Sequence, residues 1–83
     1  MSVTVRFFAA ARAAVGLDEV VLTPESPVDL GALIAQVPSS GGDDVDAVLA
    51  RCSFLVNGVS TRDRSTPVVD GAVVDVMPPF AGG

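Results

Sequence analysis

The stretch SPVDLGALIAQVP, Ser26 to Pro38, decides how the rest of the chain is read. Leu30, Leu33, Ile34 and Val37 fall at i, i+3, i+4 and i+7, which gathers four apolar side chains into one stripe of a helix. Ser26 is placed as N-cap and Pro27 at the first helical position. Asp29, three residues after Ser26, closes a capping box near the positive end of the helix dipole. Pro38 stops the helix. An apolar stripe of this kind needs a second layer to cover it, and the sequence on both sides supplies strands.

Upstream, SVTVRFF alternates with a period of two: Val3, Val5 and Phe7 on one side, Thr4, Arg6 and Phe8 on the other. A first strand is expected from Val3 to Phe8. The alanine-rich AAARAAVG then predicts a short helical turn ended by Gly16, and DEVVLT a second strand, Glu19 to Thr23, pairing back on the first. Downstream, SSGGDDVDAVLARC reads as a loop followed by a short helix around Val45 to Ala50, with aspartates near its start. In SFLVNGVST an apolar run meets Asn57-Gly58, a strong signal for a hairpin turn between two strands. Asp70-Gly71 marks a further turn, after which Val74 and Val76 alternate with Asp75 and Met77 in a last strand.

This order predicts an α+β fold: a mixed sheet of about five strands with one main helix packed on one face and a short helical turn after the first strand. It is the β-grasp, or ubiquitin-like, arrangement, in which the first and last strands lie side by side and parallel in the middle of the sheet. Val3, Val5, Phe7, Val74 and Val76 would face the helix. Arg6, Phe8, Asp75 and Met77 would face outward, with Phe8 and Met77 forming an apolar patch.

The chain has 83 residues, enough for one domain with one core, expected over residues 1–77 with residues 78–83 as an extended tail. No apolar run approaches the roughly 20 residues a bilayer span needs. Arg12 interrupts the early apolar stretch that could otherwise pass for a secretory signal, so a cytoplasmic protein with no membrane role is expected. The net charge is −5, all five cations are arginines and none cluster, which argues against nucleic acid and favours partners with basic surfaces. His, Lys, Tyr and Trp are absent and Cys52 is the single cysteine. The usual general bases and amine nucleophiles are therefore missing, and any chemistry the chain joins is expected to be catalysed by a partner.

The closing MPPFAGG suggests what that chemistry is. Pro78 and Pro79 cannot continue a sheet and hold an extended root, and Ala81, Gly82 and Gly83 then form a tip with no side chain beyond one methyl, thin enough for a narrow channel. The Gly83 carboxylate, with no Cβ beside it, becomes the reactive group once an activating enzyme attaches a leaving group such as AMP.

Taken together, VTVRFFAAARAAVG, the VNG hairpin, the DG turn and VMPPFAGG resemble the MoaD/ThiS family, most closely its MoaD-type members, the small sulfur-carrying subunits of molybdopterin synthase. The resemblance covers the whole chain. Its most specific pieces are Phe7-Phe8 before the turn carrying Arg12, and Pro78, Pro79, Gly82 and Gly83 at the end. It departs at Ala13, where many relatives are acidic, and at Ser60 and Thr61, where some carry leucine. The resemblance implies that Gly83 is adenylated by an ATP-dependent activating enzyme, converted to a thiocarboxylate by a sulfur donor protein, and inserted with Phe80, Ala81 and Gly82 into the large subunit of the synthase. There the sulfur passes to cyclic pyranopterin monophosphate in molybdenum cofactor biosynthesis. Phe8, Met77, Pro78 and Pro79 would bind partners, and catalytic residues would belong to the large subunit. No permanently bound cofactor and no metal are implied, only AMP or the thiocarboxylate as transient modifications.

Alternatives share the same tail: a sulfur carrier for thiamine or cysteine biosynthesis, or a ubiquitin-like conjugation or interaction module. The remaining features take plain readings. Asp43, Asp44 and Asp46 read as helix-start acids rather than a metal site, because hard cations need about six or more oxygens. Cys52 reads as core filling, and Arg62, Asp63 and Arg64 as a solvated loop. Phe80 either anchors the tail in a partner or caps the sheet edge.

Overall fold

Residues 1–38 and 44–79 are described by a computed structural model, in which ten short elements follow one another along the chain. They are β1 (Val3–Phe7), α1 (Ala9–Val15), β2 (Glu19–Leu22), β3 (Val28–Asp29), α2 (Leu30–Ala35), α3 (Asp44–Arg51), β4 (Ser53–Val56), β5 (Val59–Thr61), β6 (Pro67–Val68) and β7 (Val73–Met77). Five strands form one sheet in the order β2-β1-β7-β4-β5. The first and last strands are central neighbours and run parallel, Val5 beside Val74 and Phe7 beside Val76, and every other pairing in the sheet is antiparallel. This is the β-grasp fold expected from the order of elements.

The two-residue period of β1 and β7 sorts their side chains as the alternation predicts. Val3, Val5, Phe7, Val74 and Val76 are buried, together with Phe54 of β4, and they share one core with Leu30, Leu33 and Ile34 of α2, Ala11 and Val15 of α1, and Val45 and Leu49 of α3. Gly16 ends α1 in the left-handed region at φ 84°, its N–H donating to the Arg12 carbonyl. Asn57 and Gly58 both have positive φ, as the mirror-image hairpin turn requires, and the Asn57 side chain accepts a 2.9 Å hydrogen bond from the Val73 N–H. The Asp70-Gly71 turn is tied to the chain start: Ser2 N–H donates to Asp70 Oδ1 at 2.8 Å, and Gly71 N–H to the Ser2 carbonyl.

The structure corrects the reading of Ser26 to Pro38. The helix starts later, at Leu30, and runs only to Ala35, while Val28 and Asp29 are extended and pair with Val68 and Pro67 as a second, two-stranded sheet. Asp29, not Ser26, is the N-cap: its Oδ1 accepts from Ala32 N–H at 2.8 Å. The two preceding helical N–H groups, of Leu30 and Gly31, donate to the carbonyls of Thr66 and Arg64. Long-range partners thus satisfy the helix start, which is why a purely local capping box misplaced it. The helix expected as the main one has six residues, and α3, with eight, is the longest among the described residues. Asp29→Ala should cost about 1 kcal/mol of stability, read as a lowered urea midpoint with an unchanged slope.

Arg64 also departs from expectation. It is not part of a solvated loop: its Nη2 donates to the Leu49 carbonyl at 2.9 Å, near the end of α3, and its guanidinium carbon lies 4.9 Å from the centroid of the buried Phe54 ring. Asp63 supports that loop by accepting from the N–H and hydroxyl of Ser65, and these bonds hold its carboxyl below the ordinary carboxylate range. The loop 39–43, including Asp43, lies outside the described residues. Among the described residues no helix is long and apolar enough to cross a membrane.

Candidate functional site

The tail leaves from the middle of the sheet. Strand β7 ends at Met77, whose carbonyl accepts from the Ser53 hydroxyl at 3.4 Å, and Pro78 and Pro79, lacking N–H groups, extend the chain without extending the ladder. Pro78 is buried and Pro79 exposed. Together they line a cavity of about 160 Å³ with Ala10 of α1 and with Val48 and Arg51 of α3, so the root of the tail runs beside these two helices. A larger depression of about 360 Å³, between α2 and α3, lies away from this root.

Phe8 stands at the adjacent corner. It follows β1 directly and serves as N-cap of α1 through its backbone carbonyl, which accepts from Ala11 and Arg12. Phe8 is 38% exposed, unlike its neighbour Phe7 at 2%. Continuing the parallel register one step past the Phe7 and Val76 pair sets Phe8 beside half-buried Met77. The next residue, Ala9, has φ 50°, an uncommon value for a residue with a side chain, at the joint between β1 and α1.

The strand registers organise the outer sheet face into rows that cross the strands. One row holds Val21, Thr4 and Val73; the next holds Glu19, Arg6, Asp75, Leu55 and Ser60; the last, nearest the tail, holds Met77 and Ser53 with Phe8 alongside. Arg6 and Asp75 form a bidentate pair, Nε to Oδ1 at 2.5 Å and Nη2 to Oδ2 at 2.9 Å. The hydrogen bonds that Asp75 accepts from Arg6, and then the charge of Asp75, raise the proton affinity of the guanidinium above its ordinary value. The same guanidinium lies 6.0 Å from the Phe8 ring centroid, at the outer limit of a cation–π contact.

Of the residues singled out by sequence, Phe8, Met77, Pro78 and Pro79 are brought together at one end of the sheet. Phe80, Ala81, Gly82 and Gly83 lie outside the described residues. Cys52 is buried, 4% exposed, and its thiol donates to the Val48 carbonyl; burial pushes its pKa up, partly offset by Arg64. It remains a protonated core group, poorly suited to carrying persulfide sulfur. Sequence reasoning put Arg6 and Asp75 on the outward face but did not pair them. The signal was present, since they are opposite charges at outward positions of two strands expected to be parallel neighbours.

The sequence profile of the ThiS family matches residues 5–83, nearly the whole chain and including Gly82 and Gly83. The chain belongs to the ThiS family. Solved structures agree with this membership in their fold. A Pyrococcus furiosus protein described as molybdopterin converting factor, subunit 1, is 23% identical over 96% of this chain and 99% of its own, with a TM-score of 0.78. SAMP1 from Haloferax volcanii is 23% identical over 100% of both chains, with a TM-score of 0.73. A chain from the complex of subunits 1 and 2 of molybdopterin-converting factor from Helicobacter pylori 26695 is 26% identical over 100% of both chains, with a TM-score of 0.65. No curated protein sequence matches.

Proposed function

We propose that this ThiS-family chain is the sulfur carrier of a molybdopterin synthase. The observation that carries the reading is the full-length likeness, at 26% identity, to a chain from the Helicobacter pylori complex of converting-factor subunits 1 and 2. The family match through Gly83 supports it, and so does the composition, which has no His, Lys or Tyr to act as a catalytic base.

In this reading the Gly83 carboxylate attacks the α-phosphorus of ATP on an adenylating enzyme, and pyrophosphate leaves. Hydrosulfide released by a donor protein then adds to the acyl carbon and loses its proton, and AMP departs with the electrons of the broken C–O bond, leaving a thiocarboxylate. Phe80, Ala81 and Gly82 carry that group into the large subunit, where the sulfur passes to cyclic pyranopterin monophosphate and water restores the carboxylate. Phe8, Met77, Pro78 and Pro79 hold the head against its partners. The chain's own work is presentation: a rigid body, an apolar corner beside the tail root, and a tip free of side-chain bulk. All of this takes place in the cytoplasm, where ATP and reduced sulfur are at hand.

Coexpression with the adenylating enzyme and sulfur donor of the same organism tests the reading by intact mass. The expected product is heavier than the free chain by the difference between one sulfur and one oxygen, and the gain maps to the C-terminal residue. An unchanged mass in the presence of both partners would count against sulfur carriage. The fold-level likeness to SAMP1 favours a second reading, as a protein modifier. That reading predicts instead a Gly83 amide to lysine side chains of other proteins, because this chain has no lysine of its own.

A further inference from the structure

The ion pair in the middle of the outer sheet face is bidentate and asymmetric, with the Asp75 side chain only 13% exposed. Asp75 grips Arg6 through two hydrogen bonds, so the guanidinium is held in one orientation while its side chain stays 47% exposed. Glu19, exposed on the edge strand β2, is the register partner of Arg6 on its other side and makes no ion pair among the described residues. Two carboxylates therefore flank one guanidinium and leave the row with one negative charge. Around it the face is apolar or uncharged: Phe8 and Met77 toward the tail, Leu55 within the row, Val21 and Val73 beyond it.

We propose that the Glu19, Arg6 and Asp75 row is the charge-reading element of the partner interface: the protein that covers this face sets one cationic side chain against Glu19 within an otherwise apolar contact. The inference rests on the carrier reading above, in which that protein is the large synthase subunit. Complementarity fixes the sign. A cation placed there continues the alternation of charges along the row, whereas a carboxylate would meet two like charges and one unlike in a site drained of water. The fixed guanidinium keeps Asp75 from being the group that captures the incoming cation, which leaves Glu19 to do so. A partner with a wholly apolar or acidic patch is disfavoured, so the row selects among proteins that all recognise the same tail.

The experiment measures Kd of the full chain for the large subunit of molybdopterin synthase from the same organism, at low and high salt. It compares wild type, Glu19→Gln, Glu19→Lys and Glu25→Lys. Glu25 is exposed in the loop after β2, so Glu25→Lys raises the net charge by two, as Glu19→Lys does, without touching the sheet. Glu19→Lys should weaken binding at least about tenfold and flatten its salt dependence, Glu19→Gln should fall between, and Glu25→Lys should stay within about twofold of wild type. Equal melting temperatures establish that the variants are folded. Wild-type affinity in Glu19→Lys, or an equal loss in Glu25→Lys, overturns the inference and leaves the carrier reading standing. A wild-type chain that does not bind the large subunit at all removes both.

Discussion

Deletion of Gly83 is expected to abolish thiocarboxylate formation while changing stability by no more than about 0.5 kcal/mol. The two halves of this result come from different parts of the molecule. Among the described residues the hydrophobic core runs from Val3 to Val76, and deleting a terminal glycine removes no side chain from it. In the proposed reaction, however, the attacking oxygen and the acyl carbon both belong to Gly83, and a chain ending at Gly82 presents its carboxylate one residue short of the adenylating site. Intact mass after coexpression with the activating enzyme and sulfur donor reads the first half, and a thermal melt reads the second. Full sulfur incorporation by the truncated chain would sink the assignment of Gly83. A large drop in melting temperature would mean that the tail belongs to the folded body.

Phe54→Ala should produce the largest loss of stability, about 3–5 kcal/mol, a substantial share of the 5–15 kcal/mol typical of a domain. Phe54 is fully buried on β4, where it pairs with Val76 of the tail-bearing strand, and it shares the core with Leu30 and Leu33 of α2. Its ring also underlies the Arg64 guanidinium that donates to α3, so truncation both opens a cavity and removes the platform of that clamp. Urea unfolding should show a lower midpoint with little change in slope. A loss under about 1 kcal/mol would mean that neighbouring side chains collapse into the space.

The fold was legible in the sequence wherever local chemistry and tertiary placement agree. Alternation in β1 and β7, Gly16 after the alanines, Asn57-Gly58 and Asp70-Gly71 each carry a short-range signal, and each stands where that signal puts it. The reading failed where long-range bonds decide. Leu30 and Gly31 find carbonyl partners at Thr66 and Arg64, so Val28 and Asp29 join Pro67 and Val68 in a small sheet that no two-residue pattern could announce. Arg64 looked solvated because its partners, the Leu49 carbonyl and the Phe54 ring, are distant in sequence. At the candidate site, Phe8 and Met77 were placed from register alone, because strands that are parallel neighbours transmit position along their whole length. The bond between Arg6 and Asp75 needed the side-chain geometry.

The central position of β7 has a mechanical consequence. Its hydrogen bonds run to β1 on one side and β4 on the other, and the tail continues from its end. A partner that draws the tail into a channel therefore loads both ladders at once, in shear, rather than peeling an edge strand one bond at a time. The head can resist a pull on its leash that would unzip the same sheet from β2 or β5.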